Sequence, residues 1–262
     1  MRVYIEIFKR SFKNNFVYKI DICMGIINST ILVFVGVMMW KALYSNSEVV
    51  KSISIDEMVT YSILGMIMRT LFTMDEFYID RKVVTGQIAI DFLKPISFAL
   101  TVFSNIIGQV AFNLVVQVIP VLIISIFIFD FNFPQNPVTI ALYFCSLMLG
   151  FLILFTFNMI IWSMTFWVHK TYSIVTIKNS IISLISGLLI PLWFIPEGIS
   201  KILSFLPFQY IYFTPLNIFL EKSSLNNILL NLLMQMFWGL SFFIISIAVW
   251  KIGLRKMVIQ GG

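Results

Sequence analysis

The residues that could do chemistry are few and mostly solitary. The chain has no G-x-x-x-x-G-K-[ST] loop and no Gly-Lys pair, so it lacks the backbone cradle that binds nucleotide phosphates. H-E-x-x-H and G-x-S-x-G are also absent. Cys23 and Cys145 fall inside apolar runs, and the only histidine, His169, has neither a nearby Cys nor a second His. That argues against a zinc site or a disulfide framework, and two buried thiols acting as small hydrophobes are expected. No carboxylates pair within an apolar run; Asp75 and Glu76 sit at the inner end of one. Arg69 is the one ionisable group inside a run. A permanent cation is a poor proton carrier, so Arg69 reads as a snorkelling side chain or a partner for Asp75 or Glu76. The sequence thus points away from an enzyme and from a proton-driven carrier, and it implies no cofactor in this chain.

Two other patterns stand out. Asn105, Gln109, Asn113 and Gln117 recur every four residues and share one helix face. Amides facing lipid are costly, so this stripe should face protein or water: interhelical bonding, a subunit interface or a pathway wall. The second pattern is the segment from Asp80 to Pro95. Gly86 breaks helix, Gln87–Leu93 can re-form one, and Pro95 ends it. This short helix carries Ile88, Ile90, Phe92 and Leu93, more apolar surface than a connector needs. It suits docking to a soluble partner or lying on the membrane. The expected anchors are Ile88, Phe92 and Leu93, with Asp91 and Lys94 as rim charges.

The elements that hold these residues must be membrane helices. Of 262 residues, 60% are hydrophobic and 11% charged, against about 25% charged in soluble domains. Apolar runs long enough to span occur at 22–40, 98–129, 138–167 and 229–249, with weaker runs at 58–77 and 181–195. Backbone polar groups in lipid must bond within their own segment, so six transmembrane helices are expected. The net charge of +6 reports orientation rather than nucleic-acid binding. With the N-terminus inside, thirteen Lys and Arg fall in inner segments, Lys178 among them, and four fall outside: Lys41, Lys51, Lys201 and Lys222. Both termini are then cytoplasmic.

Residues 1–20 read as an amphipathic interfacial helix rather than a cleaved signal. Tyr4, Ile5, Phe8, Phe12 and Phe16 lie on one side and Arg2, Lys9, Arg10 and Lys13 on the other. The stretch 191–220 is apolar yet cut by Pro191, Pro196, Pro207 and Pro215. Its pieces are too short to span, so it reads as re-entrant helices at the outer face.

In order and spacing these features resemble a type-2 ABC transporter permease, the membrane subunit of an ATP-binding-cassette exporter. The features are the basic N-terminus, Thr85-Gly-Gln-Ile-Ala-Ile-Asp-Phe-Leu-Lys-Pro95, Leu189-Ile-Pro-Leu-Trp-Phe-Ile-Pro196, Leu206-Pro-Phe-Gln-Tyr-Ile-Tyr-Phe-Thr-Pro215 and Val258-Ile-Gln-Gly-Gly262. The resemblance covers essentially the whole chain, read as one permease domain. It implies a second permease, identical or homologous, and two copies of a separate ATPase that binds ATP and Mg in a bacterial cytoplasmic membrane. It also implies that residues 80–97 form a coupling loop, with the ATPase contact at Gly86, Gln87, Ile88, Asp91, Phe92, Leu93, Lys94 and Pro95. The outer gate falls on the four prolines, with Glu197 as a candidate for the outer carboxylate. A membrane scaffold that transports nothing is the alternative, and a partner ATPase separates the two. Substrate is not legible; abundant Ile, Phe, Asn and Lys fit an AT-rich bacterial genome.

Overall fold

The computed structural model describes residues 2–45, 49–50, 53–168 and 171–256; Lys51, His169, Lys170 and the Val258-Ile-Gln-Gly-Gly262 segment lie outside the described residues. The fold is all-α, with helix over 81% of the structure. In chain order the helices are α1 (Arg2–Asn14), α2 (Lys19–Leu43), α3 (Ile55–Leu71), α4 (Tyr78–Val84), α5 (Gln87–Phe92), α6 (Phe98–Asn113), α7 (Ile119–Ile128), α8 (Pro137–Ser163), α9 (Tyr172–Ile185), α10 (Glu197–Phe205), α11 (Phe213–Phe219) and α12 (Leu225–Leu254). A two-stranded antiparallel hairpin, β1 (Val49–Val50) with β2 (Ile53–Ser54), precedes α3.

Among the described residues, four helices are long and apolar enough to cross a membrane: Lys19–Leu43, Phe98–Ile128, Pro137–Phe166 and Leu225–Leu254. They coincide with the four strong apolar runs. The weaker runs behave differently. α3 has 17 residues and α9 has 14. The run 181–195 is not one helix: α9 starts earlier, at Tyr172, and ends at Ile185, before Gly187 takes a left-handed φ of +80°. Lys178 therefore belongs to a helix rather than to an inner loop.

The chain forms two compact units, Met1–Met74 with Ile96–Phe133, and Asp75–Pro95 with Pro134–Gly262. In the first unit α2 packs on α3 through Ser29, Val33, Gly36, Val37 and Trp40, all buried at helical spacing. Small residues let the backbones approach: Gly36 lies against Ser62 and Met66, and Thr70 donates a hydrogen bond to Ser29 at 3.2 Å. A capping box starts α3. The Ser54 hydroxyl accepts from Glu57 N–H, and the Glu57 carboxylate accepts from Ser54 N–H.

α6 runs into a π turn at Leu114–Val118 and continues as α7. Pro120, in the first turn of α7, explains the wide turn. It has no N–H to give, and its ring would clash with the carbonyl four residues back. α1 lies alongside α6 in the same direction, as its contacts advance together. Ser97 N–H donates to the Tyr4 hydroxyl at 3.0 Å, Ser11 donates to Asn105 O at 2.7 Å, and Phe12 and Phe16 meet Phe112 edge-on. The docked face centres on buried Ser11, a residue the apolar pattern passes over, while Ile5, expected on that face, is half exposed. The apolar side of α1 thus packs on protein rather than lying wholly in lipid.

In the second unit α8 packs along α12. Gln235, fully buried, joins them: its amide donates to Ser146 O and Tyr210 O, and Ser146 donates back to it at 3.0 Å. The stretch after α9 forms short helical pieces: a 3-10 turn at Leu192–Phe194, α10, a 3-10 turn at Pro207–Tyr210, then α11. The prolines open these pieces rather than end them. Pro191 and Pro196 precede helical residues, Pro207 is the first residue of its turn, and Pro215 is third in α11, where no intrahelical N–H is needed. α11 is buried along most of its length against α8, where Gly150 admits the Ile211 carbonyl.

The α1–α6 contact depends on Gly108, where a Cβ would stand 2.6 Å from Phe8 O and 2.7 Å from the Ser11 Cβ. Gly108→Val should undock α1 at an overpacking cost of about 1–3 kcal/mol. The expected readout is a lower melting temperature in detergent and faster tryptic cleavage at Lys13. Gly198→Ala, at a site with open space, should change neither.

Candidate functional site

The segment 75–95 is built by its charges. Gly86 turns the chain between α4 and α5 with φ of +70°, a conformation that favours glycine. The hairpin is closed by Asp91, which is buried and accepts from Lys82 at 2.5 Å and from Lys94 at 2.6 Å. Burial alone would push the Asp91 carboxyl up, but the hydrogen bonds from Lys82 and Lys94 outweigh it and hold it below the usual carboxylate value. Burial would likewise push the Lys82 ammonium down. The hydrogen bond to Asp91 and the interactions with the Tyr78 hydroxyl and the Asp91 charge carry it above its usual value. The lowered carboxyl contributes stability above the ordinary carboxylate range and loses it as pH falls through its folded value. The raised ammonium contributes below the ordinary lysine range and loses it as pH rises through its folded value. The clamp is therefore whole across neutral pH.

This geometry revises the expected anchors. Ile88 is 2% exposed and belongs to the chain's own core, and Asp91 is a buried clamp rather than a rim charge. Phe92 lies beside Trp250, with ring centroids 6.4 Å apart. The outward apolar residues are Val84, Ile90 and Leu93, the last 85% exposed. Gly86, Gln87, Lys94 and Pro95 are exposed beside them.

Above the hairpin, residues 75–80 are fastened to α8 and α9. Lys178, 3% exposed, donates to Glu76 at 2.5 Å and to Asn158 at 2.9 Å. Trp162 donates from its indole to Glu76 O at 2.8 Å, and Thr171 donates to Asp80 at 2.9 Å. Phe77 stacks on Tyr172, nearly parallel at 6.2 Å. Asp75 accepts a hydrogen bond from Arg81. Both carboxylates considered as partners for Arg69 thus pair with other residues, and Arg69 stands exposed in the last turn of α3. Sequence reasoning missed the Lys178–Glu76 pair because Lys178 counted as a loop charge. The available signal was Asn158, a lone amide inside the apolar run 138–167.

The four-residue amide stripe divides in the structure. Asn113 is buried, and its amide donates to Thr70 O and Thr73 O, satisfying carbonyls at the C-terminal end of α3. Gln117 packs against Gly25 of α2. Asn105 and Gln109 are half-buried. Glu197 opens α10 and is exposed. Among the described residues no group of His, Cys, Asp and Glu is arranged to hold a metal.

A family profile described as ABC-2 family transporter protein matches residues 30–261. The chain belongs to that family. As an ABC-2 protein it is a multi-pass membrane component of an ABC transporter, a class that in general works with an ATPase subunit. No curated protein and no solved structure matches the chain. The match takes in α3 through α12 of the ABC-2 protein, hairpin and buried pair included, and leaves α1 outside.

The clamp yields a test. Asp91→Asn removes charge-assisted hydrogen bonds worth about 1.5 kcal/mol or more, about tenfold in a local opening equilibrium. Amide exchange over residues 87–93 should rise about tenfold at pH 7. In the wild-type protein, protection corrected for intrinsic rate should be flat near neutrality and fall only below about pH 4.

Proposed function

We propose that the chain is the permease subunit of an ABC-type exporter, moving substrate outward with ATP hydrolysed on a separate subunit. α3 and α9 serve as spans two and five between the four long helices, giving six spans with both termini cytoplasmic, as the bias of basic residues favours: twelve inner, once Lys178 is placed within α9, to four outer. The stretch 191–220, with α10 and α11, then lies at the outer face as re-entrant helices that gate the exit. Two permeases, identical or homologous, pair with two ATPase copies that hold ATP and Mg, in a bacterial cytoplasmic membrane.

One observation carries this reading. The α4–α5 hairpin is fixed from within by Asp91 and Ile88, yet presents Val84, Ile90 and Leu93 outward. A rigid element with an uncovered apolar tip, in a chain of an ABC transporter family and without a phosphate loop, suits a joint to the ATPase. The joint works only if the ATPase binds the permease differently in its open and closed states.

Ile90→Asp with Leu93→Asp tests it. Both side chains are exposed, so the variant should reach the membrane with its melting temperature unchanged. Co-purification with a co-expressed partner ATPase should fall at least tenfold, as expected when anchors of a small interface are lost. Full retention of the ATPase would place the joint elsewhere. Failure of the wild-type protein to retain any ATPase would favour a scaffold.

A further inference from the structure

We propose that Lys178 and Glu76 form the link that passes movement of the α4–α5 hairpin into α9. This rests on the coupling role proposed above for the hairpin. The pair is unusual for its place. Lys178 lies six residues into α9, about 9 Å along the helix, is the one charged residue in it, and is 3% exposed. An ionisable group at such a site marks function more often than stability, since apolar residues of similar volume pack at least as well. What an ion pair adds is register. Nζ of Lys178 is held between the Glu76 carboxylate and the Asn158 amide oxygen, and a slip of α9 by one residue would leave the charge unmatched.

The connections on either side make the pair a link. Towards the hairpin, Glu76 is two residues from α4, and the Phe77–Tyr172 stack and the Thr171–Asp80 hydrogen bond bind the same stretch to the start of α9. α4 is in turn tied to α5 by Lys82–Asp91. Charged or polar contacts thus run from α5 through α4 and residues 75–80 into α9. Away from the pair, α9 turns a hydroxyl-bearing face outward. Ser173, Thr176 and Ser180 are exposed, and Thr176 and Ser180 donate back to carbonyls of the preceding turn. Movement of α9 therefore displaces a polar face within an apolar surface.

The test uses the full complex of permease and ATPase in lipid nanodiscs. Cys23 and Cys145 are replaced by Ala, and spin labels are placed at Ser180→Cys on α9 and Leu240→Cys on α12. Adding ATP with vanadate should shift the distance between the labels by about 2 Å or more, the scale of helix shifts in such transitions. The neutral pair Glu76→Gln with Lys178→Met should fold, retain the ATPase and hydrolyse ATP, and lose the shift. Glu76→Gln alone, which keeps an acceptor for Lys178, should reduce it. A full shift in either variant overturns the link. A double variant that fails to assemble, with a full shift in Glu76→Gln, makes the pair a fold determinant and also overturns it. Loss of the shift at unchanged melting temperature is the result a purely structural pair would not give. If the wild-type permease binds no ATPase, the coupling role itself has failed, an outcome visible before any variant is made.

Discussion

In hydrocarbon a polar group without a partner is heavily penalised, and most organisation within this chain follows from how that penalty is met. Three buried polar side chains join separate elements, while others, such as Ser125, Thr156 and Ser163, bond back to carbonyls of their own helix. Asn113 of α6 takes the last carbonyls of α3. Gln235 of α12 binds α8 and the turn before α11. Lys178 of α9 binds α8 and residues 75–80. Lipid supplies no hydrophobic force between helices, so such bonds and close backbone approaches must define the packing. The glycines act in the same way. Gly108, Gly150 and Gly253 lie where a neighbouring backbone or ring leaves no room for a Cβ.

The same penalty explains where the helices break. Proline removes an N–H, and a freed carbonyl inside an apolar bundle needs another solution. At Pro120 the answer is a π turn, which widens the helix and lets α6 continue into α7 without a stop. Between α9 and α12 the prolines stand where helices begin, so each missing N–H falls where it would have had no partner. A proline-rich apolar stretch therefore becomes a set of short packed helices instead of a loop.

Much of this was legible in the residues because it rests on length and composition. Four apolar runs predict four long helices to within a few residues. Gly86 and Pro95 bracket α5, and the basic amphipathic N-terminus predicts α1. What escaped depends on tertiary contacts. Lys178 sits buried inside α9, where it finds Glu76 and Asn158, partners 102 and 20 residues away. Until they are known, Lys178 resembles any basic residue next to a span. Within α5, six residues make fewer than two turns. Too few positions exist to separate an inner from an outer face by periodicity, so Ile88 and Leu93 could be told apart only in the fold. Ser11 escaped for a related reason: its role is to be small opposite Gly108, and hydropathy does not register smallness.

The length of the α6–α7 helix gives α1 its place. Its 31 residues extend about 46 Å at 1.5 Å per residue, against a hydrocarbon thickness of about 30 Å. About ten residues are thus surplus to an upright crossing. α1 follows the first half of this helix, from Ser97 to Phe112, and the polar residues Thr101, Ser104, Asn105 and Gln109 fall in that half. A helix paired in this way cannot lie flat in the membrane plane while its partner stands upright. Both must incline together, or the start of α6 must stand clear of the hydrocarbon with α1 beside it. Either geometry leaves Arg2, Arg10 and Lys13 exposed on the side away from Ser11, where headgroup phosphates can reach them. The α1–α6 pair is thus a two-helix post, and α2 continues from α1 at Lys19 after one 3-10 turn.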